Sequence, residues 1–176
     1  MELLVKYLDK VNHNVGKVAS WSSSLMVWVI CIDVFMRYVL DYSFIWIVEL
    51  EIYFFAISFI LCAGYAFQND SHVRVDAFYS NWSEKRKAWV NLIGGIVFLL
   101  PWCYISISAS WKYAYNSWLM KENSPQPGGL PALYIMKFIL VAGFVLLMIQ
   151  GIVSILKSIV TLRQSKSDMS QNENLN

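Results

Sequence analysis

Apolar positions along this chain fall into four long runs divided by short polar connections. The hydrocarbon core of a bilayer needs about 20 mostly apolar residues in helical form, and runs of that order occupy 18–39, 44–67, 88–111 and 132–156. The pattern predicts four transmembrane helices. The third run contains no charged residue, and the fourth is uncharged from Phe138 to Leu156. Charges inside the other runs gather toward one end: Asp33 and Arg37 in the first, Glu49 and Glu51 in the second, with Lys137 at the start of the fourth. Trp21, Trp46, Trp82, Trp89, Trp111 and Trp118 lie near the proposed ends, where indole rings favour the headgroup level. Pro101, midway along the third run, predicts a kink.

Before the first run, Leu3, Leu4, Tyr7, Leu8, Val11, Val15 and Val18 recur at helical spacing, with Lys6, Lys10, Asn14 and Lys17 between them. Residues 1–17 are therefore expected to form an amphipathic helix at the membrane surface. An unbroken extension of the first span fits the same spacing. Residues 18–160 make up the membrane domain, and 161–176, polar and without aromatics, read as a flexible tail.

Composition agrees with lipid as the solvent. Of 176 residues, 57% are hydrophobic and only 15% charged, against about 25% charged in an ordinary globular domain. The net charge of +2 is small and its cations are scattered, which argues against a nucleic-acid partner. Orientation follows from those cations. Lys6, Lys10, Lys17, Arg74, Lys85, Arg86, Lys87, Lys157, Arg163 and Lys166 belong to one side; only Arg37, Lys112, Lys121 and Lys137 belong to the other. Positive residues are retained in the cytoplasm, so both termini and the second connection are expected there.

The chemical inventory argues against an enzyme. His13 and His72 both lie outside the spans, so paired haem ligands cannot be assembled in the membrane. Cys31, Cys62 and Cys103 are isolated in three different spans, without the spacing of a redox or zinc pair. No catalytic residue, metal ligand or cofactor site is predicted. Glu49 shares a helix face with Trp46 and Tyr53, and these three are the candidates for a subunit or lipid interface. A competing reading has a small, stand-alone four-helix transporter that carries protons on Glu49. Gly64, Gly94, Gly95, Gly143 and Gly151 read as sites of close helix packing.

One sequence of motifs is more specific. Arg37-Tyr38 lies at the far end of the first span, Trp46-Ile47-Val48-Glu49 opens the second, and His72-Val73-Arg74-Val75-Asp76 comes just after it. Pro127-Gly128-Gly129-Leu130-Pro131 precedes the fourth. In length, span number and motif order the chain resembles the small membrane subunit, the Q or DctQ type, of tripartite ATP-independent periplasmic (TRAP) transporters. That resemblance implies a bacterial inner-membrane protein without catalytic activity. Its partners would be a large multi-span membrane subunit, a periplasmic substrate-binding protein and membrane lipid. It implies sodium-driven import of an organic acid, such as a dicarboxylate, sialic acid or sulfonate, with the small subunit as scaffold. His72, Arg74 and Asp76 would then organise the cytoplasmic loop, and the third connection, 112–130, is the outer segment available to the binding protein.

Overall fold

The computed structural model describes residues 2–69 and 82–173, and every described element is helical. Helix α1 runs Glu2–Val39, α2 Ile45–Gln68, α3 Glu84–Gly94, α4 Leu100–Leu119 and α5 Tyr134–Glu173. A π-helical turn, Gly95–Leu99, joins α3 to α4, so these pieces form one span, Glu84–Leu119. Four helices are thus long and apolar enough to cross a membrane.

Residues 2–17 continue into the first span without a break, in a single helix of 38 residues. At its far end the chain turns sharply. Asp41 adopts a left-handed conformation, φ 55°, which aspartate tolerates better than most side chains, and Tyr42 returns its N–H to the Met36 carbonyl at 3.1 Å. Phe44 is extended, and α2 starts back antiparallel.

The π turn has a local cause. Pro101 lacks an N–H and its ring crowds the carbonyl four residues earlier. The helix accommodates it by widening one turn, in which the Leu100 N–H reaches the Gly95 carbonyl. The break expected at Pro101 is therefore carried by the five residues just before Leu100.

The helices do not close into a four-cornered bundle. α5 is the hub and packs against α1, α2, α3 and α4, whereas α1 and α2 make no extensive contact with the third span. In the most apolar stretch of α5, 39% of residues are buried, against 6% in both α2 and the third span. Large apolar side chains accordingly remain on the outside, among them Trp28, Phe35, Phe59, Phe98 and Trp102.

Small residues bring the helices together, as is usual where lipid removes the hydrophobic drive between them. A Cβ at Gly143 would stand 2.9 Å from the Ile60 carbonyl oxygen, and one at Gly16 2.3 Å from Tyr65 Cβ. Gly64, Gly95 and Gly151 are comparably tight. Gly94 differs: nothing lies within 4 Å of a Cβ placed there, so it is not a packing contact. Between α1 and α2, Ser58 Oγ lies 2.6 Å from Ser22 Oγ and 2.8 Å from Ser23 Oγ.

Candidate functional site

Two polar belts remain once the apolar packing is accounted for, one at each end of the helices. No Asp, Glu, Lys, Arg or His lies between them in any span.

The outer belt is built by the third connection folding back on α2 and α5. Helix α4 ends in a Schellman motif, in which Lys121 takes the left-handed position (φ 47°), its N–H bonds to the Trp118 carbonyl, and the Glu122 N–H bonds to the Ser117 carbonyl. The chain then turns through Gly128, φ 82°, and Ser124 N–H meets the Leu130 carbonyl at 3.2 Å. Into this turn projects Glu49. Its Oε2 accepts the Leu130 backbone N–H at 2.6 Å and its Oε1 accepts the Ser124 hydroxyl. A Cβ at Gly129 would lie 2.7 Å from Glu49 Oε1 and closer still to Ser124 Oγ, so this position has no room for a side chain.

A second clasp ties the same connection to α5. Lys137, only 8% exposed, forms an ion pair with Glu122 and sits 3.8 Å from the centre of the Tyr113 ring. A cation buried this far needs such partners. The Lys137 hydrogen bond holds the Glu122 carboxyl below the ordinary glutamate range. Asn123 Oδ1 accepts the Ala132 N–H at 3.1 Å, and Leu133 N–H bonds to the Glu122 carbonyl at 3.0 Å. The connection is thereby hydrogen-bonded to α2, to α5 and to itself.

Beside these clasps, Asp33 is 3% exposed and pairs through Oδ2 with Arg37 one turn along α1. Its other oxygen, and Oε1 of Glu51, are buried without a hydrogen-bond partner among the described residues. Glu49 and Glu51, which the spacing separates onto different faces, are both partly buried. Of the other interface candidates, Trp46 is 43% exposed, with its ring 6.2 Å from Phe44. Tyr53 carries a buried hydroxyl with no hydrogen-bond partner among the described residues. His72, Arg74 and Asp76 lie outside the described residues.

The inner belt joins α1, α2 and α5. Asn12, 2% exposed, donates to Gln150 Oε1 at 2.8 Å, and Gln150 Nε2 donates to Asp9 Oδ1 at 3.1 Å. Lys157 pairs with Asp9 Oδ2 at 2.7 Å, while Gln68 Nε2 donates to the Asp9 carbonyl at 3.0 Å. A visible signal for it was Gln150, a polar residue within an otherwise apolar run; its partners carried no such mark. The outer clasp likewise involves Ser124 and Glu122, which nothing in their local sequence singled out. Among the described residues, no three His, Cys, Asp or Glu side chains converge as metal ligands would.

Four long apolar helices, three of them gathered on the fourth as hub and all charged only at their ends, define a multi-pass helical membrane protein. Within that class the family is specific: residues 26–161 match the model for the DctQ component of tripartite ATP-independent periplasmic transporters, and the chain belongs to that family. It is accordingly the small membrane component of a TRAP transporter. Searches of curated proteins and of solved structures returned no match.

Proposed function

We propose that this chain is the non-catalytic scaffold of a sodium-driven importer of an organic acid, a carboxylate or a sulfonate. It resides in a bacterial inner membrane with both termini in the cytoplasm, and braces a large multi-span subunit that carries substrate and sodium. A periplasmic binding protein delivers the substrate. The DctQ family operates with those two kinds of partner.

The observation that carries the scaffold reading is the open row of helices. Rings such as Trp28, Phe98 and Trp102 point away from the hub, and no ionisable group interrupts the spans at mid-depth. Secondary transporters bind substrate near the midplane at broken helices paired between repeats; here the π turn interrupts a single span. Glu49, the coupling group of the stand-alone alternative, has both oxygens committed to the third connection. That favours a structural role over cycling a proton. Trp46 and Tyr53 belong to the surface offered to the large subunit or to lipid, and the clasped connection presents a fixed shape on the binding-protein side.

The test is purification of the tagged chain from a host that also expresses the adjacent reading frames. A stable complex with a much larger membrane protein is expected, together with sodium-dependent uptake that requires all three components. A chain that purifies alone, binds an organic acid and loses it on Glu49→Gln overturns the proposal.

A further inference from the structure

The third span enters the membrane through the run Trp82-Ser83-Glu84-Lys85-Arg86-Lys87-Ala88-Trp89. There it borders an open groove of about 500 Å³ lined by Trp82, Ser83, Lys85, Arg86, Trp89 and Val90. The nearby cations divide into two kinds. Lys87 pairs with Glu84 at 2.9 Å and Lys157 with Asp9 at 2.7 Å, so both are neutralised within the chain. Lys85 and Arg86 are exposed and meet no carboxylate among the described residues.

Helical spacing arranges the groove in layers. Trp89 and Val90 lie one turn beyond Lys85 and Arg86 on the same faces, which places the cations toward water and the apolar pair toward the span. Trp89 is 50% exposed and Val90 46%, so this wall is uncovered. A positive layer with no carboxylate partner among the described residues, above an exposed apolar one, has the same polarity order as a phospholipid with a negative head. Arg presents a fork that matches phosphate oxygens, and indole rings settle at headgroup level. Free phosphate would use the cations and leave the apolar wall wet.

We propose that this groove binds an anionic phospholipid, with Lys85 and Arg86 on the headgroup phosphate and Trp89 and Val90 along the upper acyl chains. The proposal rests on the membrane reading of the chain and not on its transporter partners. Failure to find a large subunit therefore leaves it intact, and its own failure leaves the transporter reading intact.

The test is native mass spectrometry of the full chain in detergent, titrated with phosphatidylglycerol or with phosphatidylcholine of the same acyl chains. Phosphatidylglycerol is expected to bind more tightly. Each cation contributes roughly five-fold, so Lys85→Gln lowers that affinity by about five-fold and the Lys85→Gln/Arg86→Gln pair by about 25-fold. Phosphatidylcholine binding stays the same. Lys10→Gln, an exposed cation on α1, serves as the control and leaves both affinities unchanged. With the native chain alone, raising salt from about 0.1 M to about 1 M shortens the screening length from about 10 Å to about 3 Å and erodes the preference. Equal affinity for the two lipids, an undiminished preference in the double variant, the same loss in the control, or inorganic phosphate binding as tightly as the lipid would each overturn the site.

Discussion

Glu49 on α2 and Leu130, 81 residues later, are joined by a 2.6 Å hydrogen bond from the Leu130 backbone N–H to the Glu49 carboxylate. The same carboxylate accepts the Ser124 hydroxyl, so a single side chain closes the third connection over the end of the second span. Replacing it with an amide leaves one good acceptor for two donors. Hydrogen bonds to a charged group contribute about 1.5–3 kcal/mol, so Glu49→Gln is expected to cost an amount of that order. Hydrogen exchange at the Leu130 amide should quicken while the spans stay protected. Unchanged protection at Leu130 would show that the turn holds its shape without the clasp.

The second clasp gives the connection a pH dependence of known sign. Glu122 has its folded-state carboxyl lowered by the Lys137 hydrogen bond. A depressed carboxyl contributes stability that is fully present above the unfolded glutamate range and is lost as pH falls through the lower, folded value. Limited proteolysis of 120–133 should therefore remain slow at neutral pH and quicken only on acidification below the ordinary carboxylate range. Glu122→Gln should remove the part of this response that belongs to the clasp; an identical pH profile in the variant would assign the response to other groups.

At the inner end, Asn12 donates to Gln150, which in turn donates to Asp9. Asn12→Ala leaves a buried Gln150 oxygen without that donor, at a cost of about 1–3 kcal/mol. A lowered thermal midpoint is the expected result. In a double-mutant cycle with Gln150→Leu, the two losses should fall well short of additive. Additive losses would mean that the contact contributes nothing of its own.

Gly143 and Gly94 separate close packing from mere helix composition. Alanine in a helix interior is favoured over glycine by about 1 kcal/mol, so Gly94→Ala, with open space around it, should leave stability unchanged or slightly higher. At Gly143 the added carbon meets Ile60 side chain at 2.1 Å and its backbone oxygen at 2.9 Å. Overpacking of this kind costs about 1–3 kcal/mol, which outweighs the propensity gain. The thermal midpoint in detergent should fall for Gly143→Ala alone; equal behaviour of the two variants would contradict the close approach of α2 and α5.

These residues also show how much could be read before the fold was seen. Gly143 and Gly94 look alike in sequence, and both were expected at packing contacts; only the direction each faces distinguishes them. Pro101 announced a distortion, because its missing N–H is a property of the residue itself, yet the π turn that absorbs it lies in the residues preceding it. Glu49 was recognisable as a candidate, since a carboxylate in an apolar run is conspicuous at any range. Its partners were not, because Ser124 and a backbone N–H carry no mark of their own.

The sequence by itself determined the four spans, the concentration of charge at their ends and the family. Each rests on whether a stretch of side chains prefers lipid or water, or on motifs read in order along the chain. Only the tertiary structure decided that α5 is the hub, that Glu49 holds the third connection, and that Asp9 pairs with Lys157 and Asn12 donates to Gln150, both on α5. Those relationships join residues as much as 148 positions apart. Which of them meet depends on which helix faces pack together, and no local preference of either residue contains that information.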